Sequence, residues 1–243
     1  MITIHTKEKF KKNKAPFWLD TYYHFSFADY YAPNKMNYGV LQALNDDLIL
    51  PMKGFDAHAH KNIEILSYVV SGTLTHIDNL KNKTVLKAGS LQFIHAGTGI
   101  MHSERNKQDT PLQMITMFVT PKHKNTIPKY DAISFTKEER HNNLLHMVGS
   151  AKNAFIKIDQ DINLYVCESE KNKEYNLEIK HNRQAYIVCL SGEILLNNKI
   201  MFEHDAASVI RENLVIQSTS NCSFLIIEML QDIDIRNLNK FFN

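Results

Sequence analysis

The chain has 243 residues, 44% hydrophobic and 22% charged, with Lys+Arg 28 against Asp+Glu 26 for a formal charge of +2. This composition excludes a disordered chain and a membrane-spanning one, and the near balance of charge excludes the basic footprint of a direct nucleic-acid binder. The length suits one large β domain or two of ordinary size.

The first element is a basic run, residues 7–14, with five lysines and one glutamate, which reads as a solvated N-terminal arm. No apolar secretory core occupies this region, and the late apolar run 224–230 is broken by Glu228 and too short for a bilayer, so a cytoplasmic protein without membrane contact is expected. Cys167, Cys189 and Cys222 lack the close pairing of a zinc ribbon or redox motif and sit in apolar contexts, as buried small hydrophobes of a reducing compartment do. Residues 18–31 are rich in Tyr and Phe with a mixed period, which predicts short strands and a packed loop.

Val40 to Asp47 reads as a strand that ends in a turn at its polar residues. Residues 63–70 form a β-branched and aromatic run that stops at Ser71-Gly72; residues 73–78 alternate, 79–83 turn, and short apolar runs follow at 85–87 and 91–94 around Ala88-Gly89. Residues 112–119 predict a further strand closed by Thr120-Pro121. Such regular short strands argue for an antiparallel sandwich or barrel. The pattern loosens between His123 and His146, where 136–140 is the candidate short helix and a domain junction is expected.

The second half repeats the first. Tyr186 to Gly192 echoes Tyr68 to Gly72, and residues 205–210 take the place of 88–93. Two barrels on one plan are implied, a domain at 1–132 and a second at 133–243. The polar segment 232–243, with Phe241-Phe242, reads as a short docking helix or a frayed tail.

Chemistry concentrates between Gly54 and Asn106. His58 and His60 are two residues apart, as are His102 and Glu104, so on strands each pair projects from one face and can converge on an ion. Three imidazoles and a carboxylate suit a d-block divalent ion better than calcium or magnesium. The corresponding part of the second half has His181 without a second histidine two residues away, and no His-x-Glu after Ile210, so the metal belongs to the first domain alone.

Gly54-x3-His58-x-His60-x3-Glu64-x7-Gly72 and Gly89-x9-Gly99-x2-His102-x3-Asn106 resemble the two cupin motifs. With Trp18-Leu19-Asp20, the stretch His24 to Tyr31, Leu44 to Asp47 and Ala96 to Glu104, the chain more narrowly resembles a pirin-family bicupin, densely in its first half and loosely in its second. The resemblance implies an all-β fold of two tandem cupin-type (jelly-roll) barrels with few short helices. It also implies metal ligation by His58, His60, His102 and Glu104, most often of iron, with zinc, nickel, cobalt, manganese or copper able to substitute. Family members commonly have proline where Ala59 stands and a less basic residue at His95; neither departure removes a ligand. Glu64 is expected to orient a ligating histidine rather than bind the ion. His76, His95 and Asn106 are expected to be structural.

Pirin-like proteins imply quercetin 2,3-dioxygenase activity, the opening of a flavonol ring by dioxygen with loss of carbon monoxide, and Glu104 is the candidate catalytic proton acceptor. Dioxygen and a small flavonol-like aromatic are then the partners, and a monomer is expected. The alternative function is a non-catalytic metal-binding or redox-sensing regulator that acts through a protein partner.

Overall fold

The structure, a computed structural model, describes residues 1–14, 16–149 and 154–231; the segment 232–243 lies outside the described residues. It is nearly all β, as expected, and among the described residues one α-helix occurs, Lys137–Arg140. A capping box starts that helix: the Thr136 side chain accepts from the backbone N–H of Glu139, and the Glu139 side chain accepts from the backbone N–H of Thr136.

Each half contains a seven-stranded sheet and a four-stranded sheet. In the first half, Leu19, Ile49, Val69 and Met114 of the large sheet pack on Leu74 and Leu86 of the small one. In the second, Ile187, Phe224 and Ile226 pack on Ile194, Leu196 and Ile216. The large sheets also pack on each other. Their outer faces form one cluster in which Leu66, Tyr68 and Met117 meet residues such as Leu164, Tyr186 and Leu225.

The two-residue period of a strand sorts these side chains between the two cores. Tyr186, Val188 and Leu190 face the junction between the halves, whereas Ile187 and Cys189 face the second barrel. Strands covered on both faces read as continuous apolar runs, which accounts for the unbroken run 185–190. Gly72 and Gly192 mark equivalent turns with φ of 80° and 74°, and a Cβ at either would fall 2.4 Å from a carbonyl oxygen, of Pro111 or of Asn221.

Two sequence expectations are corrected. The basic run is not a free arm: Lys7–Lys9 is a 3-10 turn, Phe10 is buried, and Lys11–Asn13 pairs with Leu19–Tyr23 as the outermost strand of the first large sheet. Lysines suit that place because a charged edge resists pairing with another chain. Nor is there a turn at Asn45–Asp47. These residues lie inside Leu41–Ile49, paired on one side to Leu19–Tyr23 and on the other to Leu112–Val119. Cross-strand pairing on both sides overrides the turn preference of Asn and Asp.

The halves are also tied by polar and backbone contacts. Ile2–His5 crosses over to pair with Ala206–Ile210 of the second large sheet. Asp46 receives a hydrogen bond from His204 Nδ1. That bond raises the His204 pKa above the ordinary 6.5, against burial and the charge of Lys7, with the charges of Asp46 and Glu203 adding to the rise. A histidine with a raised folded pKa contributes stability that is complete below its unfolded pKa and is lost as pH climbs through the folded one. His204→Gln should therefore lower Tm most near pH 6 and progressively less toward pH 9. Melting curves of both proteins across that range test this; a pH-independent difference would remove the ion pair as its cause.

Candidate metal centre

Three strands of the small sheet in the first half carry the cluster. Gly54–His60 and Ile100–Arg105 pair antiparallel with His58 opposite His102, and Ile100–Arg105 pairs on its other side with Thr73–Asp78, which sets Glu104 opposite His76. Alternation keeps His58 and His60, His102 and Glu104, and His76 and Asp78 on inward positions. His58 and His60 are half-buried, whereas His102, Glu104 and His76 are buried.

The rings of His58, His60 and His102 lie 4.4–5.1 Å apart between centroids. Their donor atoms fall within 4.8 Å of one another, and a second group on the same criterion joins His76, His102 and Glu104. The structure thus brings the three expected histidines together and connects Glu104 to them through the shared His102. His76, read from sequence as core packing, belongs to this second group. A histidine preceding an aspartate by two residues was the signal that could have marked it.

Hydrogen bonds prepare the donors. His58 Nδ1 donates to the Asp56 carbonyl at 2.8 Å, which leaves the Nε2 lone pair free. Burial, with neighbouring imidazoles adding to it, pushes His60 down to about 4 and His102 down to about 3, so both are neutral donors at physiological pH. Burial raises the Glu104 pKa, opposed by nearby imidazoles and by hydrogen bonds from Gln92 and Ser67. Both of those bonds fall on Oε1, which leaves Oε2 for an ion or a proton. Neither ring nitrogen of His102 has a hydrogen-bond partner although both are buried. An unsatisfied buried polar group costs about 1–3 kcal/mol, and a divalent transition ion would satisfy one of these nitrogens. The residues therefore fit a metal.

The cluster opens on a cavity of about 190 Å³, whose apolar wall is Phe27, Phe55, Ile65 and Phe118. Asn45, Asp47 and Thr116 line it as well. Burial pushes the Asp47 carboxyl up to about 7, the neighbouring Asp46 and Glu104 charges contributing. Phe27, His60 and Phe118 also border an outer hollow of about 590 Å³, with Met36 and Lys61 among its other walls.

Residues 4–119 match the family model described as Pirin, and residues 147–229 match that of the quercetinase C-terminal cupin domain. A quercetin 2,3-dioxygenase of Escherichia coli K12 is 32% identical over 214 residues, which cover 87% of this chain and 92% of that protein. The chain belongs to the pirin family. A pirin-like protein of Caulobacter vibrioides is 33% identical over 200 residues, covering 82% of this chain and 86% of its own. The crystal structure of the Escherichia coli pirin YhhW in complex with nickel(II) superposes with a TM-score of 0.88 at 29% identity, covering 95% of this chain and 100% of the other. Two cupin domains are thereby confirmed.

The second barrel of this pirin shows what the fold requires without a cluster. Asn106 N–H donates to the Lys53 carbonyl in the first barrel, and Ser218 N–H donates to that of Lys173 in the second, which aligns the two sheets. Where His58 faces His102, Leu177 faces Leu214; where His76 faces Glu104, Leu196 faces Ile216.

Glu64 is outside both donor groups, and its Oε1 is 2.9 Å from Nδ1 of His95, whose Nε2 contacts Thr126. Asn106 ties down the end of the strand that carries His102 and Glu104: its amide donates to the carbonyls of Ile49, Leu50 and Thr110, and its oxygen accepts from the Gln108 N–H. Asn106→Ala removes these bonds, the one to Ile49 buried and the others partly buried, and should cost about 1–3 kcal/mol. Urea unfolding of the two proteins reads this as a lower midpoint at unchanged slope; a loss under about 0.5 kcal/mol would show that water replaces the amide.

Proposed function

We propose that this pirin is a metal-dependent dioxygenase of the quercetin 2,3-dioxygenase type, with His58, His60, His102 and Glu104 as the residues that hold the ion. The observation that supports the reading is that three clustered imidazoles and, beside their shared His102, a buried carboxylate line an aromatic-walled cavity. A divalent transition ion bound there, iron first among the candidates, supplies Lewis acidity toward the flavonol 3-hydroxyl and electron exchange with dioxygen.

The chain's own residues do the remaining work. Glu104, whose free oxygen is Oε2, would give up its hold on the ion to take the proton of the 3-hydroxyl, an exchange favoured by the upward shift that burial gives this carboxyl. The phenylalanines keep bulk water from the reacting ring. Phe27 and Phe118, with ring centroids 4.9 Å apart, stand where the inner cavity meets the outer hollow. A cavity of about 190 Å³ is smaller than the ~300–1,000 Å³ of pockets that enclose drug-sized ligands. A flavonol therefore places its reacting ring inside and its pendant ring in the outer hollow.

Anaerobic loading with Fe(II) and admission of oxygen, while quercetin absorbance and released carbon monoxide are followed, tests the proposal. Oxygen-dependent loss of quercetin is expected, falling more than about 100-fold in His58→Ala together with the bound metal. Stoichiometric metal with no flavonol consumption under iron, nickel, cobalt, manganese, copper or zinc would sink the catalytic reading and leave a metal-binding regulator.

A further inference from the structure

The inner cavity has two sides. The small sheet supplies the histidine cluster and Glu104, and the large sheet supplies Asn45, Asp47 and Thr116, polar residues that the reaction proposed above leaves unused. Asn45 and Asp47 lie two residues apart on Leu41–Ile49 and so share a face, and Thr116 stands directly opposite Asn45 on Leu112–Val119. All three are buried, with exposures of 4%, 3% and 4%.

Their bonding is incomplete. Thr116 Oγ1 donates to Asp47 Oδ2 at 3.5 Å, whereas Asn45 Oδ1 has no hydrogen-bond partner. An amide oxygen left unpaired in a protein interior is costly. Filling the barrel does not require it. Four residues before the equivalent turns at Gly72 and Gly192 stand Tyr68, paired through Ile115 to Asp46, and Val188, paired through Leu225 to Val166. The second barrel therefore has Tyr165 where Asn45 stands, Cys167 where Asp47 stands and Ile226 where Thr116 stands, and these three belong to or pack on its apolar cluster.

A hydroxyl suits the first barrel's arrangement, because it donates to an amide or carboxylate oxygen and accepts from the Asn45 amide N–H. We propose that Asn45 and Asp47 are the specificity-determining residues of the cavity, receiving a hydroxyl on the ring fused to the reacting one, so that the substrate is an aromatic with a second hydroxyl on the side turned away from the histidine cluster. The inference rests on the reading of this cavity as a flavonol site. A site that hydrogen-bonds a substrate hydroxyl rejects the analogue without it, because the acceptor then stays buried and unpaired.

Binding without turnover tests it. Trp18, the single tryptophan, meets the cavity-lining Phe55 edge-on at 5.3 Å between centroids, so a flavonol in the cavity quenches its fluorescence. Under nitrogen and with zinc(II), which exchanges no electrons, 3,5,7-trihydroxyflavone should bind at least ~10-fold more tightly than 3-hydroxyflavone, which lacks the ring hydroxyls. Asn45→Leu, with an unchanged circular dichroism spectrum, should abolish that preference by weakening the trihydroxyflavone alone. Asn45→Asp, which keeps an acceptor, should retain most of it. Equal binding of the two flavonols by the unaltered protein would overturn the proposal, and this comparison stands even if Asn45→Leu fails to fold. An undiminished preference in a folded Asn45→Leu would overturn it as well. Quenching by neither flavonol would remove the flavonol reading and this inference together, whereas discrimination in binding without oxygen-dependent turnover would sink only the catalysis proposed above.

Discussion

The interior of a small barrel has to be filled, and beside its apolar clusters the first barrel fills part of that space with nitrogen and oxygen. Its counterpart solves the same geometric problem with leucine and isoleucine at Leu177, Leu196, Leu214 and Ile216. Those side chains contribute burial of about 1.5–3 kcal/mol each. His58, His76, His102 and Glu104 forgo that stabilisation and add the desolvation cost of polar groups, part of it left uncompensated at His102. A chain can carry such a site only if the rest of the barrel holds those strands in place regardless.

Several features supply that support. The small sheet closes over a compact apolar patch of Leu74, Leu86, Val69 and Met114 at one side of the cluster. Ile65, Ile94, Ala96 and Ile100 pack as a separate cluster. Behind both, the large sheet is backed by the second half through the extensive cluster that contains Leu66, Tyr68 and Met117. The second barrel thus packs behind the large sheet that faces the strands of the histidine cluster. The crossing strand Ile2–His5 makes that junction a matter of backbone pairing as well as side-chain packing.

The two-residue period made much of this legible from sequence. It put His58 with His60 and His102 with Glu104 on common faces, and it exposed the repeat that left the second barrel without ligands. The same rule failed where polarity was mistaken for exposure. Asn45, Asp46 and Asp47 look like a turn because their side chains compete with backbone pairing. In the fold their side chains go to two different places: Asn45 and Asp47 line the cavity, and Asp46 meets His204. Sequence order carries no information about a partner 158 residues away. His76, read as core packing, is buried against Tyr130 and stands opposite Glu104, a neighbour that only the pairing of the strands reveals.

Asp78 holds that ring through Nε2. A histidine buried only for packing needs some partner for its N–H but has no use for a charged one, because a carboxylate brings a desolvation cost of its own. Here that cost is offset by a network of donors from Leu80 and Asn82 that holds Asp78 in place before His76 is considered. The turn after Thr73–Asp78 thus anchors the buried His76 ring opposite Glu104. The order of support runs from that turn to Asp78, from Asp78 to the His76 ring, and from the ring to the space beside Glu104. Each step is a short directed bond or stack, whereas the outer histidines His58 and His60 sit on a strand exposed at its far side. Rigidity inside and accessibility outside are what a centre needs if it is to hold an ion firmly while one face of that ion meets a ligand from the cavity.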